Sequence, residues 1–189
     1  MLNRIFLLKM KKKLFKEVVI PKGVEVEIEG TLFKVKGAEG ENKRDFNLNN
    51  IIFKKDGDRI LIGHEKATKK EKKIINSTVA HIKNMIEGIQ KKFEYQLKVC
   101  FSHFPFTVEI NGNEVKIKNF LGEKSPRIMK IVKGVEVKSD KEFVNIKSFD
   151  KELAGRVAAD FEKITKIRNR DRRIFQDGLY IISKAGREI

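Results

Sequence analysis

Val24-Glu25-Val26-Glu27-Ile28-Glu29-Gly30-Thr31-Leu32-Phe33-Lys34-Val35-Lys36 is the stretch that decides the fold. Valine and isoleucine alternate strictly with glutamate up to Glu29, the period of a half-buried strand. Gly30-Thr31 reads as a two-residue turn with glycine in the first central place, as type II′ requires. The alternation then resumes with Phe33 and Val35 apolar and Lys34 and Lys36 charged. Such a turn sets a register: Glu27 faces Lys34, Glu25 faces Lys36, Ile28 faces Phe33 and Val26 faces Val35. One pairing satisfies both faces of the hairpin, each cross-strand pair contributing roughly 0.2–1 kcal/mol.

The design recurs 82 positions later, in Val108-Glu109-Ile110-Asn111-Gly112-Asn113-Glu114-Val115-Lys116-Ile117-Lys118, and Gly40-Glu41 returns as Gly122-Glu123. With Gly112-Asn113 as the turn, Glu109 faces Lys116 and Ile110 faces Val115. This is an internal duplication. In the first copy Ile51 to Phe53 and Arg59 to Ile62 flank the hairpin signal Asp56-Gly57. In the second, strands are expected over Ile128 to Val132, Val135 to Lys138 and Phe143 to Ile146. Each copy then carries one helix. From about Lys69 to Lys91, Ile75, Val79, Ile82, Ile86 and Ile89 make an apolar stripe, and from about Lys151 to Ile164, Leu153, Val157, Phe161 and Ile164 make another. The fold class is therefore α+β: two tandem modules, each a small antiparallel sheet with a helix on one face. The expected boundaries are a basic N-terminal arm over residues 1–17, frayed or weakly helical, a first module over 18–92, a second over 93–182, and a tail over 183–189. No Ser- or Pro-rich linker separates the modules.

A formal net charge of +16 and a pI near 9.8 call for a polyanionic partner, nucleic acid above all. Residues 1–92 hold 22 Lys and Arg against 12 Asp and Glu, and residues 93–189 hold 20 against 14, so the charge is distributed. Cys100 alone excludes an internal disulfide and fits a reducing compartment. The short apolar run Ile5 to Leu8 lacks a cleavage site and the length of a spanning helix, so no signal peptide or membrane segment is expected.

Little suggests catalysis. His64, His81 and His103 are scattered, Cys100-x-x-His103 lacks a second pair for zinc, and Gly37-x-x-Gly40 lacks the Lys-Ser/Thr of a phosphate loop. Glu25, Glu27 and Glu29 share a strand face with opposing lysines, which would hold them ionised, the wrong setting for a general acid. No metal, cofactor or small-molecule substrate is implied. A magnesium-dependent nuclease would need unpartnered carboxylates, and only Asp56-x-Asp58, Asp171 and Asp177 offer themselves. The basic runs say more. Lys66 to Lys73 is a lysine-rich helix start. Asn119-Phe120-Leu121-Gly122-Glu123-Lys124-Ser125-Pro126-Arg127 is a constrained loop from which Lys124 and Arg127 would project, close after Lys118. Lys166, Arg168, Arg170, Arg172 and Arg173 crowd eight residues, and arginine forks match phosphate oxygens in pairs. Ile167, Ile174, Phe175, Leu179 and Tyr180 are expected to anchor this run. An extended conformation would set Lys166, Arg168, Arg170 and Arg172 on one side; a continued helix would group Lys166, Arg170 and Arg173. Asn169 and Asp171 favour the extended form.

Several motifs in order resemble a known family: Ile20-Pro21-x-Gly23-Val24, Arg44-Asp45-Phe46, Ala80-His81-Ile82-x-Asn84-Met85-Ile86-x-Gly88, His103-Phe104-Pro105, Asn119 to Lys124, and Asp171-x-Arg173-x-Phe175-x-Asp177-Gly178-x-Tyr180. From about Val18 to Ile182 the chain is similar to large-subunit ribosomal protein six, the L-six family, in its archaeal and eukaryotic branch. The resemblance implies two duplicated α+β modules without enzymatic activity, at a cytoplasmic ribosome. It further implies contact with large-subunit ribosomal RNA near the sarcin-ricin loop and stalk base, beside neighbouring ribosomal proteins and close to where translation factors dock. The second module would be the main RNA-contacting half, through Lys118, Lys124, Arg127, Lys166, Arg168, Arg170, Arg172 and Arg173, with Phe120, Gly122, Phe175, Gly178 and Tyr180 supporting the motifs. The other readings are a non-ribosomal structured-RNA-binding protein and, further off, the metal-dependent nucleic-acid enzyme.

Overall fold

The computed structural model describes residues 12–46, 51–102, 104–171 and 173–189. Residues 1–11 of the expected arm, His103 and Arg172 lie outside the described residues. The chain divides into two compact units, the first ending at Gln90 and the second beginning at Lys91.

In the first unit the strands are β1 (Lys12–Val19), β2 (Glu25–Glu29), β3 (Leu32–Gly37), β4 (Gly40–Asp45), β5 (Ile52–Asp56) and β6 (Arg59–Ala67), followed by helix α1 (Lys69–Gln90). They form two antiparallel sheets, β1-β6-β5 and β2-β3-β4. The opening hairpin has the expected register throughout, with Gly30 at φ 63° in its turn. The charges, however, pair diagonally: Lys34 reaches Glu29 at 2.8 Å and Lys36 reaches Glu27 at 3.7 Å. The hydrogen bond from Lys34 holds Glu29 below the usual carboxylate range, as a structural glutamate should be. Ile75, Val79, Ile82, Ile86 and Ile89 of α1 all enter the core with Phe33, Val35, Ile60 and Ile62. A capping box starts the helix: Glu71 accepts from the Thr68 N–H at 2.7 Å and from its hydroxyl, while Thr68 Oγ1 faces the Lys70 N–H at 3.3 Å.

The second unit repeats the plan. It comprises β7 (Phe93–Cys100), β8 (Thr107–Asn111), β9 (Glu114–Lys118), β10 (Arg127–Lys130), β11 (Glu136–Ser139), β12 (Phe143–Ser148), helix α2 (Lys151–Ile164), β13 (Gly178–Lys184) and β14 (Arg187–Glu188). Sheet β10-β9-β8 echoes β2-β3-β4, and the segment β11-β12-β7 echoes β5-β6-β1. Glu109 faces Lys116 and Ile110 faces Val115. The Lys118–Glu109 pair, at 2.8 Å, is the counterpart of Lys36–Glu27 in the first unit. Asp150 caps α2 by accepting from the Glu152 N–H at 2.8 Å, and Ala154, Val157 and Phe161 join Leu97, Val144, Ile146 and Leu179 in the core. Only this unit adds β13 and β14, extending its sheet to β11-β12-β7-β13-β14.

Four expectations are corrected. The first strand starts at Lys12, not Val18, because Leu14, Phe15 and Val18 pair along β6 and Phe15 lies across Gly63, whose missing side chain leaves room for the ring. The second hairpin turns at Gly57-Asp58, not Asp56-Gly57: Asp56 pairs with Arg59, and Gly57 at φ 56° takes the first central place. The expected tail over 183–189 is sheet, since Ala185 and Gly186, at φ 51° and 82°, turn β13 back into β14. The arginine-rich run is neither a strand nor a helix. It extends only to Arg168, then turns at Asn169 (φ 58°) and again over Asp171 to Phe175.

Candidate nucleic-acid interface

The two basic segments of the second unit meet at the C-terminal end of α2. The first follows β9. Asn119 (φ 62°), Leu121 (φ 52°) and Gly122 (φ 75°) enter the left-handed region around a single 3₁₀ turn, Phe120–Gly122. Asparagine and glycine tolerate that conformation; a leucine there stores about 1–2 kcal/mol, a strain that functional loops often carry. The loop is tied down at both ends of the turn. Asn119 Nδ2 donates to the Pro105 carbonyl at 3.0 Å, and Phe120 is buried edge-on against Phe106 at 5.3 Å between centroids.

Arg127 then faces inward. Its Nε and Nη2 donate to Glu123 at 2.8 and 2.6 Å, its Nη1 donates to the Ile164 carbonyl at 2.5 Å, and its guanidinium lies 4.4 Å from the Phe120 ring centroid. The expectation that Arg127 projects from the loop is therefore corrected: a forked cation beside a carboxylate and an open helix end is drawn into both. Its hydrogen bond, with the nearby charge of Arg170 added, holds the Glu123 carboxyl below its ordinary range. Lys124 is exposed in the same loop, and Lys118 is exposed but held by Glu109.

The second segment leaves α2 at Thr165. The Thr165 hydroxyl donates to the Phe161 carbonyl at 3.1 Å and accepts from the Leu179 N–H at 3.0 Å, and Glu162 accepts from the Ile181 N–H at 3.0 Å. These bonds clamp both ends of the excursion between α2 and β13. Ile167 is buried between the exposed cations Lys166 and Arg168. After the turn at Asn169, Arg170 stacks over Phe175 at 4.9 Å. Asp171 accepts from the Arg173 N–H at 2.9 Å and its carbonyl from the Phe175 N–H at 3.0 Å, which folds the segment back and leaves the Arg173 side chain exposed. Asp177 is buried and accepts from the Ser102 N–H at 2.7 Å. Asp171 and Asp177, two of the four carboxylates weighed for a nuclease, thus hold backbone, and no group of three or more His, Cys, Asp or Glu among the described residues is placed to hold a metal ion.

Of the expected anchors, Ile167 and Leu179 are buried and Phe175 is half-buried, but Ile174 is 73% exposed and Tyr180 46% exposed. Phe120 and Gly178 are buried, and Gly122 makes the loop's turn. The structure brings Lys124, Lys166, Arg168, Arg170 and Arg173 around one end of α2, braced by Arg127 and Glu123, while Arg172 lies outside the described residues. Sequence reasoning missed Glu123, Thr165, Glu162 and Asp177 as the groups that hold this arrangement. The Glu123-x-x-x-Arg127 spacing was a signal for the first; the others act only through contacts distant in sequence.

The arrangement is a cationic rim whose backbone is held by hydrogen-bonded neighbours, a form suited to anionic groups. The model of the family described as ribosomal protein L6 matches residues 20–92 and 104–178. The chain is 42% identical to the large ribosomal subunit protein uL6 of Ignicoccus hospitalis over 172 residues, covering 88% of this chain and 92% of that protein. It is 43% identical to the uL6 of Methanobrevibacter smithii over 168 residues, 89% and 94% of the two chains, and 41% identical to that of Sulfurisphaera tokodaii over 172 residues, 90% and 92%. The chain therefore belongs to the ribosomal protein L6 family, as a structural, non-enzymatic component of the large subunit of the cytoplasmic ribosome.

Proposed function

We propose that the second unit is the main RNA-contacting half of this protein. On this reading Lys124, Lys166, Arg168, Arg170 and Arg173 contact large-subunit ribosomal RNA near the sarcin-ricin loop and the stalk base, beside neighbouring ribosomal proteins and close to where translation factors dock. The observation that carries it is the convergence of two basic segments on one end of α2, each fixed by buried or hydrogen-bonded neighbours. Cations held on rigid backbone set the register of a protein on RNA and contribute most of its affinity through counterion release. The location on the subunit follows from the family resemblance. The organisation goes with it: a first module that opens with β1 at Lys12, and a second, from Lys91 through β14, that grips RNA.

Two measurements test this. The native chain should sediment with the large subunit in a sucrose gradient at moderate salt; recovery only as free protein would overturn the reading. Lys124→Ala with Arg168→Ala should weaken binding to a ribosomal RNA fragment containing the sarcin-ricin loop and reduce the slope of log affinity against log salt by about two, about one per lost phosphate contact. An unchanged slope would remove these side chains from the interface.

A further inference from the structure

The lysines that start α1 have no part in the RNA contact of the second unit. Lys69, Lys70 and Lys72 stand in the first helical turn, where the macrodipole already presents positive charge. Cations there sit at the unfavourable end of the helix. A sequence that breaks a local rule in this way does so most often where a site requires it, and the fold brings further cations to the same place. Lys12 of β1 pairs beside Ala67, just before the cap of α1 at Thr68, and the ladder then slips, with Lys13 set against both Glu65 and Lys66 of β6. Successive strand residues ordinarily face opposite ways. The slip relaxes that rule, and Lys12 and Lys13 border one cleft together.

Around this cleft of about 390 Å³ stand four lysines, Lys12, Lys13, Lys69 and Lys72, with Leu14 and Ala67 beneath them. All four are exposed, whereas Leu14 is half-buried on the core and Ala67 is buried. No carboxylate lines the cleft. The acidic residues nearest in sequence are engaged or turned elsewhere: Glu71 accepts from Thr68, Glu17 pairs with Arg59 at 3.0 Å, and Glu65 is exposed outside the lining. Four like charges around one cleft repel one another until an anion sits among them.

The apolar floor decides which anion. The rim of the second unit is mostly arginine, whose fork matches phosphate, but this cleft carries lysine alone, a point charge on a flexible apolar stem. A phosphate backbone would satisfy the cations and leave Leu14 and Ala67 wet. A peptide with an apolar side chain between carboxylates covers both. The chain itself does not supply such a peptide from its first eleven residues, which contain Arg4, Lys9 and Lys11 and no acid, and a second copy would bring the same net +16. We propose that this cleft docks an acidic segment of a partner protein, an apolar side chain seated on Leu14 and Ala67 and its flanking carboxylates paired with Lys12, Lys13, Lys69 and Lys72. The site is independent of the RNA contact proposed for the second unit.

The probe is a short fluorescent peptide with a central leucine flanked by aspartates and glutamates, titrated against the full chain and followed by anisotropy. Lys69→Glu with Lys72→Glu should weaken its binding about tenfold, since two ion pairs are lost and two repulsions gained. The same variant should bind the ribosomal RNA fragment as the unsubstituted chain does, and its Tm should not fall, because acidic residues suit the first turn of a helix. Lys54→Glu with Lys83→Glu makes the same change in net charge at exposed positions outside the cleft and should leave peptide binding unchanged. Replacing the leucine of the peptide by serine should weaken binding with the charge kept. The proposal is overturned if the peptide does not bind, if both double variants lose it equally, if the serine peptide binds as well as the leucine peptide, or if Lys69→Glu with Lys72→Glu loses the RNA fragment and keeps the peptide.

Discussion

Arg127→Ala separates a brace from an RNA contact. In the native loop the side chain donates to the Ile164 carbonyl at 2.5 Å, grips Glu123 at 2.8 and 2.6 Å and lies 4.4 Å from the Phe120 centroid. A charged hydrogen bond to a carbonyl contributes about 1.5–3 kcal/mol, and a cation on a partly exposed ring about 0.5–1 kcal/mol. The Glu123 pair is discounted: with 25% and 40% of the two side chains exposed, solvent screens it to about 0.5–1 kcal/mol. Water reaches the freed carbonyl and the terms are not additive, so the expected loss is about 2–3 kcal/mol. Arg127→Lys keeps the charge but not the fork, and should recover less than half of it. Urea unfolding followed by circular dichroism measures the loss, and filter binding at several salt concentrations measures RNA affinity. Glu123 adds a pH signature. Its carboxyl is depressed below 4.5 by Arg127, so its contribution is complete above pH 4.5 and is lost as pH falls through the depressed value. Arg127→Ala should remove that acid dependence. The account is refuted if Arg127→Ala unfolds within about 0.5 kcal/mol of the native chain while the salt slope of RNA binding drops by about one.

Two further outcomes concern the first unit. The Thr68 hydroxyl and backbone N–H depress Glu71 to about 2, so its stabilisation is present above pH 4.5 and lost as pH falls towards 2; Glu71→Gln should lower Tm at neutral pH and flatten this acid limb, and an unchanged limb would mean that the capping box is idle. Gly63→Ala would drive a Cβ into the Phe15 ring and to 2.5 Å from the Leu14 carbonyl oxygen, an overpacked site that should cost about 1–3 kcal/mol in urea unfolding; a loss under about 0.5 kcal/mol would show that β1 is not held against β6 as described.

Local, periodic signals were legible and signals made in three dimensions were not. The register of Val26 against Val35 and of Ile110 against Val115 follows from a two-residue turn and the two-residue period of a strand, so neighbouring residues alone determine it. The helix stripes were legible for the same reason, though Leu153 is only half-buried and Ala154 takes the place in the core, since a small side chain fits where α2 lies closest to the sheet. β1 was hidden because Lys12, Lys13 and Lys16 mask its alternation, and its pairing depends on a glycine about fifty residues away, a close approach that composition does not reveal. The β13–β14 turn was hidden because alanine rarely leads a turn with positive φ. The site was half legible. Residue type marked the two basic segments, but the direction of each cation depends on partners: Arg127 turns inward because Glu123 and an open helix end lie beside it, and Arg170 lies down on Phe175.

The duplication itself explains why charge and contact are separable. Residues 1–92 carry a formal +10 and residues 93–189 only +6, so net charge would favour the first copy as the RNA reader. On the reading proposed above, presentation outweighs net charge. In the first copy the chain passes from α1 directly into β7, and no segment returns along β1 among the described residues. In the second copy a strand does return, pairing β13 with β7, and the chain must travel from the end of α2 to the start of that strand. That excursion is Thr165 to Asp177, pinned at both ends by Thr165, Glu162 and Asp177. Because its ends are fixed, its lysine and arginines are held near one another at little further entropic cost. One added strand thus accounts for the cationic rim. Removing β13 and β14 by truncation after Asp177 should therefore release the segment and lose the RNA contact proposed for the rim, whereas the lysines of the first copy, with no such excursion to gather them, should not replace it.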